Sequence, residues 1–463
     1  MRDLSSRLRA IVRQTVGRPA PVTGARELTF EPDARATSPH DLAGLAEAFG
    51  GTAIEDDGAH LVVIDRVFDS TQSHGRWPID MSRPSADAPL GIFDQTAAAA
   101  PDWASRPLFF DTETTGLSGG AGTIAFLAGF GWFEPEGFRV RQWLLTSQAG
   151  ERLLLKEVGN ALDDASLLVS YNGRTFDVPL MEMRWAYHRQ SSPFDAVPHF
   201  DMLPAARRLW KTRENIADPG SESGCSLSTL ERDVLGFHRT GDVPGFEIAS
   251  RYFQFLRTGD HRLLDAVLDH HRHDIVSLAM LMSYALRLAQ QGPDLCRDDN
   301  EVVALGRIYE RAGLADRARE AFERAACSAD RYVRAQAFSR LGLIHRRECR
   351  HDDAARAWQG VLEAAGGRRS LFQLERAATE ALAIHHEHRA NDLDEAKKYA
   401  ETMRAQVSGR AAADASHRLE RLERKLGEKE RKLGEKERKL GERERKLSET
   451  KKKGDPKIAP LLD

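Results

Sequence analysis

Asp111 and Glu113 stand two residues apart at the end of an apolar run in Leu108–Thr123, LFFDTETTGLSGGAGT. On a strand, residues i and i+2 face the same side, so both acids project together. Paired carboxylates at the end of a core strand are unfavourable unless a cation compensates them, and a hard divalent ion such as Mg²⁺ is the natural partner. Two more acids stand in similar settings. Asp177 follows an apolar run in SYNGRTFDVPL and opens a helix, where it serves either as a ligand or as a plain N-cap. Asp274, in DHHRHDIVSLAML, sits at the edge of the buried stripe of a long helix. One helical turn before it come His270, at i,i+4, and His271, at i,i+3. An imidazole titrating near neutral pH suits a general base or proton shuttle. His270 is preferred for that role and His271 comes next, whereas His273 is expected to face solvent. Asn172 reads equally as a turn residue or a substrate contact. Gly119, within Ser118–Gly122, offers backbone N–H groups that can approach a phosphate. Thr114 completes the candidate substrate contacts. Arg207, Arg208, Lys211 and Arg213 read either as a phosphate-binding cluster or as a solvated helix face. His199 and Asp201 are candidates for supporting the site from behind.

These residues need a scaffold, and the pattern around them predicts one. Leu108–Phe110, Thr123–Phe133 and Phe138–Leu145 read as an antiparallel meander, followed by the helix Glu151–Leu162 and the buried strand Ser166–Tyr171. A helix at Asp177–His188 and a short strand at Val197–Phe200 come next. Helices then follow at Pro204–Lys211, Ser226–Leu235, Glu247–Leu256 and Arg262–Ala289. This order predicts an α/β fold with a mixed sheet flanked by helices, of ribonuclease H-like layout, over 107–291. Before it, residues 1–106 read as an extension: a short helix over 1–16, a hairpin turning at Asp57–Gly58, and a Ser/Pro/Ala-rich connector over Asp69–Pro107. That extension reads as a cap on the following domain or as a substrate-guiding flap.

The motifs D-x-E-T-T-G, N-x₄-D with an aromatic before the Asp, and H-x₃-D resemble the three motifs of the DEDD 3′–5′ exonucleases. The stretches FFDTETTGLSGGAGTIAFLAG, YNGRTFDVPLM, CSLSTLERDVLGF, DVPGFEI and HHRHDIVSLAML look like the YprB-type ribonuclease H-like domain. The resemblance implies that Asp111, Glu113, Asp177 and Asp274 hold two Mg²⁺ or Mn²⁺ ions. It also implies that the chain hydrolyses phosphodiester bonds of DNA or RNA by a two-metal mechanism. In the family the base stands four residues before the last Asp as tyrosine, or five before it as histidine. Here position 270 is His and position 269 is Asp, so a histidine occupies the tyrosine's place.

Beyond Pro293, LGRIYERAGLADRAREAFERAA recurs 36 residues later as LGLIHRRECRHDDAARAWQGVL, with a looser third copy near Ala383–Thr402. The recurrence resembles tetratricopeptide (TPR) repeats over 298–410, whose concave face binds a protein segment or steers substrate. Residues 411–463 form a charged heptad-repeat tail, expected to be a frayed helix or disordered. With one Leu per heptad it makes a poor coiled-coil seam. From 418 to 453 the tail carries 16 basic and nine acidic residues, so a formal net charge of −3 hides an acidic remainder and excludes a broadly basic nucleic-acid-coating protein. Four scattered cysteines and the lack of a long apolar run argue for a reducing, cytoplasmic setting without a membrane span. The competing class is a non-catalytic nucleic-acid-binding scaffold, which would have no need of four converging acids.

Overall fold

The computed structural model describes residues 42–79, 83–100, 102–116, 122–211, 225–406 and 409–453. The helix expected over 1–16 therefore lies outside the described residues, as do Gly119 and Arg213. A mixed seven-stranded sheet forms the centre, in the order β1-β2-β7-β6-β5-β8-β9. Its strands are β1 (Thr52–Asp56), β2 (Ala59–Asp69), β5 (Pro107–Thr114), β6 (Ala125–Glu134), β7 (Gly137–Leu145), β8 (Leu167–Ser170) and β9 (His199–Asp201). A two-stranded ribbon, β3 (Ser73–His74) with β4 (Trp77–Pro78), stands apart. The β5-β6-β7 meander is antiparallel, whereas β8 and β9 add in parallel beyond β5. Parallel neighbours need crossovers. The helices α2 (Glu151–Leu162) and α3 (Asp177–Tyr187) supply them, after the short α1 (Leu42–Ala48).

The lead-in proves to be part of this sheet. β1 and β2 turn at Asp57 and Gly58, both with positive φ, and β2 pairs with β7 from Leu61 to Asp69. The connector expected to be loop also contributes core: Ile79, Leu90, Phe93 and Trp103 are buried in the same apolar cluster as Phe109, Val140 and Val169 of the sheet.

Strand parity assigns the faces. Leu108 and Phe110 pack into one core with α2 and α3, while Phe109 packs into the other, beneath the long helix α7 (Arg262–Gln291). Between α3 and α7 run α4 (Met202–Trp210), the short α5 (Leu227–Leu230) with its π-helical extension Glu231–Leu235, and α6 (Gly245–Thr258). Asp111 and Glu113 continue the Phe109 row, so β5 aims both at α7. Opposite them β6 carries Gly129, paired with Asp111, and Gly131, paired with Phe109. A Cβ on Gly129 would lie 2.5 Å from His271 Cε1, and one on Gly131 would lie 2.5 Å from Ile275 Cγ2. The two glycines thus let α7 lie directly on the sheet.

After α7 the chain is all helical: α8 (Asp299–Arg311), α9 (Ala315–Ala325), α10 (Arg331–Arg347), α11 (His351–Ala365), α12 (Phe372–His388), α13 (Leu393–Gln406) and α14 (Arg410–Lys453). The 36-residue recurrence has a physical counterpart. Gly306 faces Phe322 and Gly342 faces Trp358, each so closely that a Cβ would clash, and Ala318 and Ala354 are both fully buried. The described part of the tail is helical as far as Lys453, and its first half is anchored. Leu422 packs on Leu393, Ala396 and Ala400, and Glu387 pairs with Arg418, Arg421 and Lys425. Leu433, Leu440 and Leu447 are exposed.

Candidate metal centre

Three elements bring the acids together. β5 carries Asp111 and Glu113, the first turn of α3 carries Asp177, and α7 carries His270 and Asp274. The side chains of Asp111, Glu113, His270 and Asp274 keep 14–22% of their surface exposed, enough to admit solvent and a ligand to an otherwise desolvated site. One ligand atom each of Glu113, His270 and Asp274 lies within 4.8 Å of the other two. His270 Nε2 is 3.4 Å from Asp274 Oδ2 and 4.0 Å from Glu113 Oε1. Asp177 takes a hydrogen bond from the Thr112 hydroxyl and is the first helical residue rather than the N-cap, which is Phe176.

The electrostatics are those of crowded carboxylates. Burial, and then repulsion from Asp274, Asp177 and Glu113, holds the Asp111 pKa well above its ordinary value, with Arg239 opposing. Burial together with Asp274 and Asp177 does the same to Glu113. Burial raises Asp177 to about 6 against the Thr112 hydrogen bond. The site thus gathers negative charge for which a divalent cation is the fitting counterion, and its carboxylate oxygens suit a hard one.

The histidines divide. His270 Nδ1 is 2.7 Å from Asp242 Oδ1, so the Nδ1–H donates to Asp242 and the Nε2 lone pair faces the acids. Arg239 Nη1, a donor 3.0 Å from the same Nδ1, instead donates to the His270 carbonyl at 3.5 Å and is ion-paired with Asp242 at 3.6 Å. Burial alone would raise the Asp242 pKa, but His270 and Arg239 hold it below its ordinary value. His271, the second candidate base, is fully buried. Its Nδ1 accepts from Gln142 at 2.9 Å and its Nε2 donates to the Asp111 carbonyl at 3.0 Å. Burial pushes its pKa to about 4, so it is a neutral spacer between α7 and β5 and has no nitrogen left for proton transfer. His273 does not face solvent, contrary to expectation. It is half-buried against Phe237, 5.1 Å between ring centroids, because the π-helical turn before Phe237 brings that ring over α7.

Asp201 caps α4 at Leu203 N–H and also accepts the N–H groups of Asn172 and Arg174 at 2.8 and 3.2 Å. It thereby fixes the turn leading into Asp177. Asn172 adopts the left-handed conformation there, φ 65°, which accounts for its type as a turn residue. Thr114 lies past the bulge that ends β5 and donates to Gly116 O at 3.0 Å.

The motifs gave no warning of Arg239. Its guanidinium grips the buried Glu231 at 2.5 and 2.7 Å and also donates to Asp274 Oδ1. Burial works against its charge, yet Glu231 and Asp274 raise its pKa above the ordinary value. With Oδ1 engaged, Asp274 presents Oδ2 to the site. Side chains that orient a ligand in this way tune metal affinity as much as the ligands do. The only sequence signal was the spacing of acid and base in LERDVLGFHRTGD.

The RNase_H superfamily model matches residues 108–286, a span containing every residue of this centre. The uncharacterised protein YprB of Bacillus subtilis (strain 168) is 30% identical over 323 residues, covering 68% of this chain and 74% of its own length. The chain belongs to the YprB family. Its likeness to YprB extends well beyond the matched domain, and nucleases of the ribonuclease H-like superfamily generally work with divalent metals. No helix among the described residues of this YprB-family chain is long and apolar enough to cross a membrane.

Proposed function

We propose that the chain is a divalent-metal-dependent nuclease, acting as a 3′–5′ exonuclease on DNA or RNA. The observation that carries this reading is the convergence of Asp111, Glu113, Asp177 and Asp274, from separate elements, on one largely desolvated site beside an oriented imidazole. The four acids would hold the ions. Bound divalent ions supply a water made nucleophilic and a stabilised leaving oxygen. His270 takes the proton from the attacking water at Nε2, while Asp242 secures the Nδ1–H and stabilises the imidazolium. Arg239 keeps Asp274 Oδ2 turned inward, and Thr114, Asn172 and Gly119 contact the substrate. In this reading the nuclease domain ends near 291 and takes in the hairpin that extends its sheet, ahead of a TPR-like region to 410 and the charged tail.

The test is purified protein with Mg²⁺ or Mn²⁺ on DNA and RNA labelled at either end, beside Asp111→Ala and His270→Ala. Release of single nucleotides from the 3′ end by the wild type, abolished in Asp111→Ala, is expected. His270→Ala should lower the rate far more than it lowers metal affinity. Intact substrates throughout would leave the scaffold reading, and equal degradation by wild type and Asp111→Ala would place the activity elsewhere.

A further inference from the structure

A cavity of about 500 Å³ lies where α4 meets α8, α10 and the start of α12. Its wall includes Arg208, Lys211, Arg307, Asn300, Tyr332 and Gln336, and no described residue lining it is acidic. In a chain with 70 acidic residues against 67 basic ones, a hollow with three cations and no carboxylate stands out. Arg208 spends its N–H groups on the carbonyls of Pro204 and Phe93, and Arg307 donates to the Gln336 amide. Among the described residues, no carboxylate pairs with Arg208, Lys211 or Arg307. Asp94 and Glu310, which act on Arg208 and Arg307 from further off, are themselves taken by Arg174 and by Arg340 and Arg347. Burial first, and then neighbouring arginines, lower the pKa of both Arg208 and Arg307.

The cavity is built rigidly and is tied to the metal centre. Glu301, buried, accepts from Trp210 at the end of α4 (2.6 Å) and from Tyr284 on α7 (2.9 Å), locking the helical region to the sheet domain. The other end of α4 is Asp201, which fixes the turn before Asp177. Nine residues of helix rise about 13 Å. At about 3.4 Å per stacked nucleotide, that distance is some four nucleotides. Cations with amides and an aromatic ring in one groove suit a single strand.

We propose that this cavity grips the phosphate backbone of a single nucleic-acid strand whose end lies in the metal centre. The proposal rests on the nuclease reading for the position of that end, and it selects substrate steering as the task of this part of the helical region.

The test is fluorescence anisotropy with the full-length chain in EDTA, using labelled single-stranded DNA and RNA 12-mers and a trinucleotide. The proteins are wild type, Lys211→Gln and the double variant Arg208→Gln/Arg307→Gln. The double variant should bind 12-mers about tenfold more weakly at low salt and flatten the salt slope of log K by about 1.4, and Lys211→Gln should flatten it by about 0.7. The trinucleotide, too short to span α4, should not distinguish the proteins. Lys211 is exposed, so its variant keeps the test decisive if the double variant fails to fold. Wild-type affinity and slope in Lys211→Gln overturn the proposal, and they are the result expected if the cavity serves an acidic protein segment. Competition by inorganic phosphate as strong as by the 12-mer, at equal phosphate concentration, would make it a small-anion site and overturn the strand assignment. Hydrolysis of bis(p-nitrophenyl) phosphate with Mn²⁺ reports on the metal centre separately. Its absence alongside a flattened slope would sink the nuclease reading while the strand site stands.

Discussion

Gly129→Ala tests whether the approach of α7 to the sheet sets the metal centre, without touching a charged group. The new Cβ would stand 2.5 Å from His271 Cε1, 2.9 Å from Ile275 Cδ1 and 3.1 Å from the Arg141 carbonyl. The first of these is about 1 Å short of ordinary contact. His271 cannot simply turn away, because Gln142 and the Asp111 carbonyl hold its two nitrogens at 2.9 and 3.0 Å. Either α7 lifts or those hydrogen bonds break. Overpacking costs about 1–3 kcal/mol, and a buried polar group left unpaired a further 1–3 kcal/mol, so a loss of about 2–6 kcal/mol is expected. Lifting α7 also moves Asp274 and His270 away from Asp111 and Glu113. Mn²⁺ affinity should then fall about 10–100-fold, the scale of a lost supporting contact. Urea denaturation in EDTA and calorimetric Mn²⁺ titration read the two effects. Gly306→Ala is the control: its Cβ would meet Phe322 at 2.7 Å in the helical region, so it should cost comparable stability and leave Mn²⁺ affinity alone. A Gly129→Ala protein with native stability and native affinity would refute the idea that this glycine seats the helix.

Arg239→Met should cost about 3–5 kcal/mol in EDTA, because it strands the 2%-exposed Glu231, and adding Glu231→Gln should recover part of the loss by urea denaturation. No recovery would mean that the arginine acts through Asp274 alone. Asp177 has a folded pKa of about 6 against an ordinary 3.8, so the native state holds a proton that the unfolded state has lost, and metal-free stability falls as pH rises through that window. Asp177→Asn should therefore gain stability over wild type by up to about 3 kcal/mol at pH 7, shrinking towards pH 4, and a difference independent of pH would contradict the assignment. Glu387→Gln should loosen α14, since it removes the buried negative charge and one of the two oxygens that accept from Arg421 and Lys425. Trypsin should then cut within 410–430 several-fold faster, and unchanged cleavage would show that the apolar contacts of Leu419, Leu422 and Leu426 suffice.

Much of this was legible because strand parity and helical spacing act locally. The i,i+2 spacing of Asp111 and Glu113 and the i,i+4 spacing of His270 and Asp274 have direct counterparts in β5 and α7. What escaped was non-local. Nothing in LAGFGWF announces that Gly129 and Gly131 face a helix more than 100 residues later. The orientation of His273 depends on a π-turn that periodicity cannot reveal, and the connector before β5 reads as loop because its buried residues are spaced too irregularly to show a period. Spacing ranks His271 next after His270 as a base but cannot exclude it, because the difference that excludes it lies in which neighbours each nitrogen meets.

In the proposed nuclease reading, the charge of the centre gives Arg239 the task of positioning Asp274 rather than standing in for a metal ion. Among the described residues, Arg239 is the guanidinium acting on Asp111, Glu113, Glu231, Asp242 and Asp274, with Asp177 adding a sixth carboxylate to the centre, and Glu231, which holds Arg239 with two hydrogen bonds, already balances its charge. The guanidinium therefore adds little net neutralisation to the remaining acids. What it adds is geometry, since it ties up one oxygen of Asp274. The remaining repulsion is met in the metal-free chain by protons, which is what the raised pKa values of Asp111, Glu113 and Asp177 express. A site in this condition is destabilising to its own fold near neutral pH until cations replace those protons, so ion binding and folding stability are coupled through the same carboxylates.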